Sequence, residues 1–154
     1  LNGKAVYRYR SKNNKYFYKG DLAMAVLKQF SVRLVNKPGA LACLCKLLKD
    51  AQINILAVSV HDSTDSGIVR FVPDKPDILD DILVNNHYCY DVKDIVMITL
   101  ENMPGALWRT AQKLANNKIN IDYVYTANHP EVERTVLVIS SPQPKKVDKI
   151  LKKN

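Results

Sequence analysis

Twice in the chain an asparagine stands two residues ahead of Pro-Gly-Ala-Leu: in Asn36-Lys37-Pro38-Gly39-Ala40-Leu41 and in Asn102-Met103-Pro104-Gly105-Ala106-Leu107. Each copy lies between an apolar alternating run and a run with helical spacing, which places it at the head of a helix. There, unpaired backbone N–H groups and the positive end of the helix dipole can hold a carboxylate without Lys or Arg. Glycine lets a ligand come close to the backbone, and one Asn amide can accept from an ammonium or donate to a carboxylate. The chemistry on offer is capture of a small zwitterion. Pro-Gly at such a junction is equally ordinary turn chemistry, and Asn is a common helix cap, so the residues alone leave a binding loop and a plain turn both open.

The two glycines are 66 residues apart (105 − 39), and the same offset carries Ile53-Asn54-Ile55 onto Ile119-Asn120-Ile121, Leu34 onto Leu100, Leu48 onto Leu114, Val58 onto Val124 and Val72 onto Val138. A hexapeptide arising by chance would not keep register with positions downstream, so the chain is a tandem repeat. The copies differ where a ligand side chain would lie: Lys37 becomes Met103, Ala42 becomes Trp108 and Leu56 becomes Asp122. Two sites would not have to take the same ligand equally well.

The elements that position these residues follow from hydrophobic period. Phe30, Val32 and Leu34 alternate with Ser31, Arg33 and Val35, which predicts a half-buried strand over 29–35. Leu41, Leu44, Leu47 and Leu48 recur at helical spacing, with Asn36 as a cap and Pro38 in the first turn. Then come a strand over 53–61 with Asn54, Leu56, Val58 and Val60 on one face, a strand over 68–72, a helix over 76–85 and a short strand over 88–92. The unit reads strand-helix-strand-strand-helix-strand, the ferredoxin-like order: α+β, with two helices on one face of an antiparallel sheet. The second unit repeats it with strands over 95–100, 119–126 and 135–140 and helices over 105–116 and 145–153. It ends without a final strand, which predicts an open edge needing cover. The expected divisions are an extension over 1–23, a first unit over 24–93 and a second over 94–154. Ala5-Val6-Tyr7-Arg8-Tyr9 and Lys15-Tyr16-Phe17-Tyr18 in the extension read as an aromatic hairpin that could supply the cover.

Of the net charge of +8, residues 1–28 carry +6 and residues 142–154 carry +4, leaving −2 for the repeated core. The basicity belongs to the ends, and the repeat offers no stripe for a phosphate backbone. No run approaches the roughly 18 apolar residues of a membrane span, and no secretory signal opens the chain, so a cytoplasmic location is expected. Cys43, Cys45 and Cys89 read as free, mostly buried thiols. His61, His87 and His129 fall on different predicted elements, so neither a metal nor a cofactor is expected.

A strand ending in Asn-x-Pro-Gly-Ala-Leu, a helix, and a second strand opening Ile-Asn-Ile resemble the ACT domain, the small ligand-sensing module attached to many enzymes of amino-acid metabolism. The likeness covers about residues 29–154, both units, and is similar to stand-alone tandem ACT proteins without a catalytic domain. The resemblance implies units lying side by side with amino acids bound where they meet. The loop after the first strand would contribute Asn36, Pro38, Gly39, Ala40 and Leu41, and in the second copy Asn102, Pro104, Gly105, Ala106 and Leu107. The second strand of a neighbouring unit would contribute Asn54 and Ile55, or Asn120 and Ile121. It implies a non-catalytic sensor, a homodimer, and a partner enzyme of amino-acid metabolism.

Other functions are weaker. The chain has no Gly-x-Ser-x-Gly elbow, no phosphate-binding Gly-x-x-x-x-Gly-Lys loop and no His-Glu-x-x-His pair. Acylphosphatases share the topology, but the Arg of their phosphate loop is replaced by Lys37 and Met103. RNA-recognition motifs share it too, yet the central strands supply only Phe71 for base stacking; RNA binding would fall to the basic aromatic stretch of Tyr7, Tyr9, Tyr16 and Tyr18. A ligand-free structural or protein-interaction module is the remaining alternative.

Overall fold

The computed structural model describes residues 25–62, 66–126 and 133–152. The elements are β1 (Ala25–Val35), α1 (Ala40–Asp50), β2 (Ile55–Asp62), β3 (Ser66–Pro73), α2 (Pro76–Asn85), β4 (Tyr90–Glu101), α3 (Ala106–Asn116), β5 (Tyr123–Thr126), β6 (Arg134–Ser140) and α4 (Pro144–Lys152). The fold is α+β with antiparallel strand pairing, and the element order of the first unit returns in the second. The aromatic hairpin expected in the extension lies outside the described residues.

The chain forms two compact units, one spanning Leu27–Asp94 and the other beginning at Ile95 and also taking Val26. In the first, the strand order is β2-β3-β1-β4, the ferredoxin-like arrangement. Phe30, Val32 and Leu34 of β1 meet Leu44 and Leu48 of α1, Val69 and Phe71 of β3, and Leu79 and Leu83 of α2 in one core. Phe30 stacks on Phe71 at 6.4 Å and on Tyr90 at 5.9 Å between ring centroids. The Tyr90 hydroxyl donates to the Asp80 carboxylate at 2.7 Å, tying the start of β4 to α2. That hydrogen bond, then burial, holds the phenol above its ordinary pKa, so its contribution is complete below pH ~10 and fades as pH climbs through the raised value.

In the second unit the order is β4-β6-β5. Its core joins Val96, Ile98, Leu114, Ile119, Leu137, Ile139 and Val147, with Val26, Leu100 and Ile121 packed against it.

Three helices end alike. Past α1, Gln52 turns to φ 54° while the Ile53 N–H reaches back to Leu48 and the Gln52 N–H to Lys49. His87 with Tyr88 closes α2 in the same way, and Lys118 with Ile119 closes α3. This is the Schellman closure, in which the residue after the left-handed one packs back on the last helical turn. It accounts for Ile53 and Ile119: both are buried, opposite Leu48 and Leu114. The first isoleucine of each Ile-Asn-Ile is therefore a helix stop.

Four expectations need correction. The strands foreseen over 88–92 and 95–100 are one continuous twelve-residue strand, β4. Its buried run Ile95-Val96-Met97-Ile98 has β character throughout, and no Gly or Pro interrupts Tyr90–Glu101. The second strand does not alternate strictly, because a bulge between Ile55 and Ala57 reverses its faces. Val58 therefore stands opposite Phe71, and Val60 opposite Val69, on the helix-bearing face. The repeat also slips: Phe30 pairs with Phe71 as Val96 does with Ile139, so the third strands are offset by 68 (139 − 71) rather than 66 (96 − 30). Val138 thus matches Arg70, and Ser140 matches Val72, the second hairpin being two residues longer. The three cysteines are free but exposed rather than buried: Cys43 and Cys45 lie off the core stripe of α1 marked by Leu44 and Leu48, and Cys89 lies in the connection ahead of β4.

Lys118, at φ 56°, carries a side chain where an L-residue costs roughly 1–2 kcal/mol, whereas glycine is penalised only through the unfolded chain. Lys118→Gly is expected to raise stability by a few tenths to about 1 kcal/mol, seen as a higher denaturant midpoint at unchanged slope.

Candidate ligand-binding site

The repeated Pro-Gly is a β-turn set ahead of the helix rather than its first turn. Ala40 N–H donates to the Lys37 carbonyl at 3.2 Å, and Gly39 between them has φ 88° and ψ −16°. Ala106 donates to Met103 at the same 3.2 Å, with Gly105 at φ 86° and ψ −9°. Proline second and a left-handed glycine third is a type II turn. The helices start at Ala40 and Ala106 with Gly39 and Gly105 as N-caps, correcting the placement of Asn36 as cap and Pro38 within the helix. The glycines are there for their dihedral. A Cβ on Gly39 would meet nothing within 4 Å, and one on Gly105 only an Arg109 Nη1 at 3.5 Å.

Beside the second turn lies a cavity of about 130 Å³, lined by Leu100, Glu101, Met103, Gly105, Ala106, Leu107, Thr126, Thr135 and Leu137. It sits on the helix-bearing face: Leu100 pairs with Thr135 and Ile98 with Leu137 across β4 and β6, while Thr126 of β5 pairs with Leu137. The Thr126 hydroxyl donates to the Val136 carbonyl at 2.7 Å, so across its 3.0 Å contact with Thr135 it is Thr135 that donates. In the first turn of α3, Arg109 N–H returns to the Gly105 carbonyl. The N–H groups of Leu107 and Trp108 find no backbone acceptor among the described residues. Glu101 and Arg109 stand at the rim, 3.9 Å apart. A second cavity, of about 20 Å³ between Ser31, Arg33 and Tyr90, has room for about one water.

Of the residues singled out from sequence, Gly105, Ala106 and Leu107 line the larger cavity. Asn102 braces the loop, its N–H donating to the Glu133 carbonyl at 2.9 Å. Asn36, Pro38, Gly39 and Leu41 are exposed, as is Pro104, while Ala40 packs on the first core. Asn54, Ile55, Asn120 and Ile121 are elsewhere. The Asn54 N–H is taken by the Asp74 carboxylate at 2.8 Å, and Asn120 Nδ2 donates to Asp122 at 3.3 Å. Ile55 and Ile121 pack against the two cores. Val35 pairs with Ser66 at one end of β3, while Asn54 bonds Asp74 beyond its other end. At about 3.3 Å per residue the turn and the second-strand opening of one unit are roughly 25 Å apart, so one unit cannot bring both to one small ligand. Sequence reasoning missed Glu101, Arg109, Thr126 and Thr135. A signal existed for Glu101 and Arg109, which replace Val35 and Cys43 at the 66-residue offset.

A duplicated ferredoxin-like unit with a helix-heading type II turn in each copy defines an α+β module of tandem repeats. The family model for the ACT domain pair matches residues 24–154, and the chain belongs to that family. Protein BT0572 from Bacteroides thetaiotaomicron is similar in structure, with 30% identity, a TM-score of 0.77, and coverage of 84% of this chain and 89% of that one. The ligand-free regulatory subunit of aspartate kinase from Thermus thermophilus shares the fold at 14% identity and a TM-score of 0.62, over 86% and 97% of the two chains. Its counterpart from Thermus flavus does so at 16% identity and a TM-score of 0.56, over 87% and 97%. No curated protein sequence matches. Among the described residues no helix is long and apolar enough to cross a membrane.

Because the Gly105 position demands a left-handed residue, Gly105→Ala is expected to cost about 1–2 kcal/mol in denaturant unfolding, and Gly105→Asn, which tolerates that region, less.

Proposed function

We propose that the chain is a non-catalytic regulatory module that binds free amino acids beside its Pro-Gly turns and acts on a separate enzyme of amino-acid metabolism in the cytoplasm. The observation that carries this reading is the 130 Å³ cavity, which in a member of the ACT pair family joins helix-head amides, hydroxyls and an apolar wall. A carboxylate suits the head of α3, where two N–H groups lack backbone acceptors, and an aliphatic side chain suits Leu100, Leu107 and Leu137. The regulatory aspartate kinase subunits of the same fold support a role in control rather than catalysis. The expected binding loops are Asn36, Pro38, Gly39, Ala40 and Leu41, with Asn102, Pro104, Gly105, Ala106 and Leu107. Any share taken by Asn54, Ile55, Asn120 or Ile121 would have to come from another copy of the unit.

The test is a thermal melt of the full chain against each of the twenty amino acids. A ligand at a hundred times its dissociation constant adds about 2.7 kcal/mol, enough to move the midpoint by several degrees. No shift with any of them removes the sensor reading.

The module also acts as a homodimer in this proposal, through β2. Among the described residues that strand has β3 as its one neighbour, and Val58 and Val60 are 52% and 54% exposed on it. Apolar edge strands are seldom left open to solvent. Val60→Lys is expected to shift the protein toward monomer in sedimentation velocity.

A further inference from the structure

We infer that the two units have divided their labour: the second alone carries the effector site, and that site selects amino acids with a short aliphatic side chain. This rests on the amino-acid-binding reading and narrows it from the two proposed turns to the second, adding what that site prefers.

The polar groups at and beside the cavity have no polar counterparts at the matching places of the first unit. Glu101 corresponds to Val35, Arg109 to Cys43 and Thr126 to Val60 at the 66-residue offset. Thr135, which pairs with Leu100, corresponds to Gly67, which pairs with Leu34. An acid and two hydroxyls that line one cavity, and a base beside its turn, are thus replaced by two valines, a glycine and a cysteine. The cation left on the first turn, Lys37, stands where the second has the apolar Met103.

In the second unit these groups match a zwitterion. The Arg109 guanidinium lies over the turn, with Nη1 3.5 Å from where a Cβ on Gly105 would be. It can join the helix-head amides in holding a carboxylate. Glu101, on the rim, supplies the acceptor for an ammonium. The two side chains are 3.9 Å apart, longer than the about 2.7–2.9 Å of a closed charge-assisted bond, so their contact is loose and each keeps hydrogen-bonding capacity for a ligand. Both are at least half exposed, at 67% for Glu101 and 51% for Arg109, so replacing either leaves the core intact.

Selectivity follows from the wall. Leu100, Met103, Leu107 and Leu137 present no charge to a ligand side chain, and a second carboxylate or ammonium placed among them would be desolvated without a counter-ion. At about 130 Å³, open to solvent and walled on one side by these four residues, the cavity has room for a small aliphatic side chain such as that of valine, leucine, isoleucine or methionine.

The deciding experiment is calorimetric titration of the full chain with leucine, valine, aspartate, lysine and 4-methylpentanoate, the last being leucine without its amino group. We expect one site per chain for leucine and valine, with aspartate, lysine and 4-methylpentanoate weaker by about tenfold or more, the worth of one charge-assisted hydrogen bond. Arg109→Gln should weaken leucine by a similar factor. Glu101→Gln should narrow the gap between leucine and 4-methylpentanoate, whereas Cys43→Ala in the first unit should change nothing. Two equal sites per chain, preference for aspartate or lysine, or leucine binding indifferent to Arg109→Gln overturns this assignment and leaves amino-acid sensing standing. Absence of binding by every one of the twenty amino acids removes the sensing itself.

Discussion

A single backbone dihedral organises each half of the molecule. At Gly39 and Gly105 the chain enters the left-handed region, which completes a type II turn and lets a strand that ran along the sheet come back over it as a helix. Everything beside that turn depends on it. Ala40 and Ala106 can pack inward because the helix begins there, and the carbonyls of Gly39 and Gly105 are spent on Cys43 and Arg109. The cost to any other residue is conformational rather than steric, since neither glycine has a close neighbour that a methyl group would strike.

With the same backbone device at both places, the halves are free to differ in what surrounds it. The second surrounds its turn with a carboxylate, a guanidinium and two hydroxyls, one of which hydrogen-bonds to the other. The first has apolar or small residues there and leaves Val60 half exposed on an edge strand. Loops are where chemistry can change without disturbing a core, and the differences beside the turn fall on its rim. The central positions remain aliphatic or aromatic in both: Phe30 and Val96, Phe71 and Ile139, Leu48 and Leu114.

Much of the fold was legible because the core obeys simple periods and the repeat tests each assignment twice. Phe30, Val32 and Leu34 read as one face of a strand and are buried together. Three things were hidden. A bulge at β2 and a two-residue difference between hairpins leave no mark in composition, and both depend on which strand pairs with which. The continuity of β4 was hidden by Lys93 and Asp94, which interrupt its apolar run; Asp94 is met there by Lys28 at 2.7 Å. At the site, the motif located the turn but not the chemistry around it. Glu101 and Arg109 lie just outside the hexapeptide, and Thr126 and Thr135 reach it only through the hydrogen bonding of β4, β5 and β6. Asn54 and Asn120 attracted notice as amides between isoleucines, yet their nearest partners are Asp74 and Asp122 at the far end of the sheet.

Val26 shows that the sequence repeat and the folded units do not share a border. It belongs to β1 but packs against the core of Ile98, Leu114 and Ile139, more than seventy positions onward. Bisecting the gene at the repeat boundary would strip that core of one of its walls while leaving the other half its full complement of apolar partners. The C-terminal fragment would be the orphan of the two, since its core borrows a residue strung ahead of the other unit while nothing is borrowed in return.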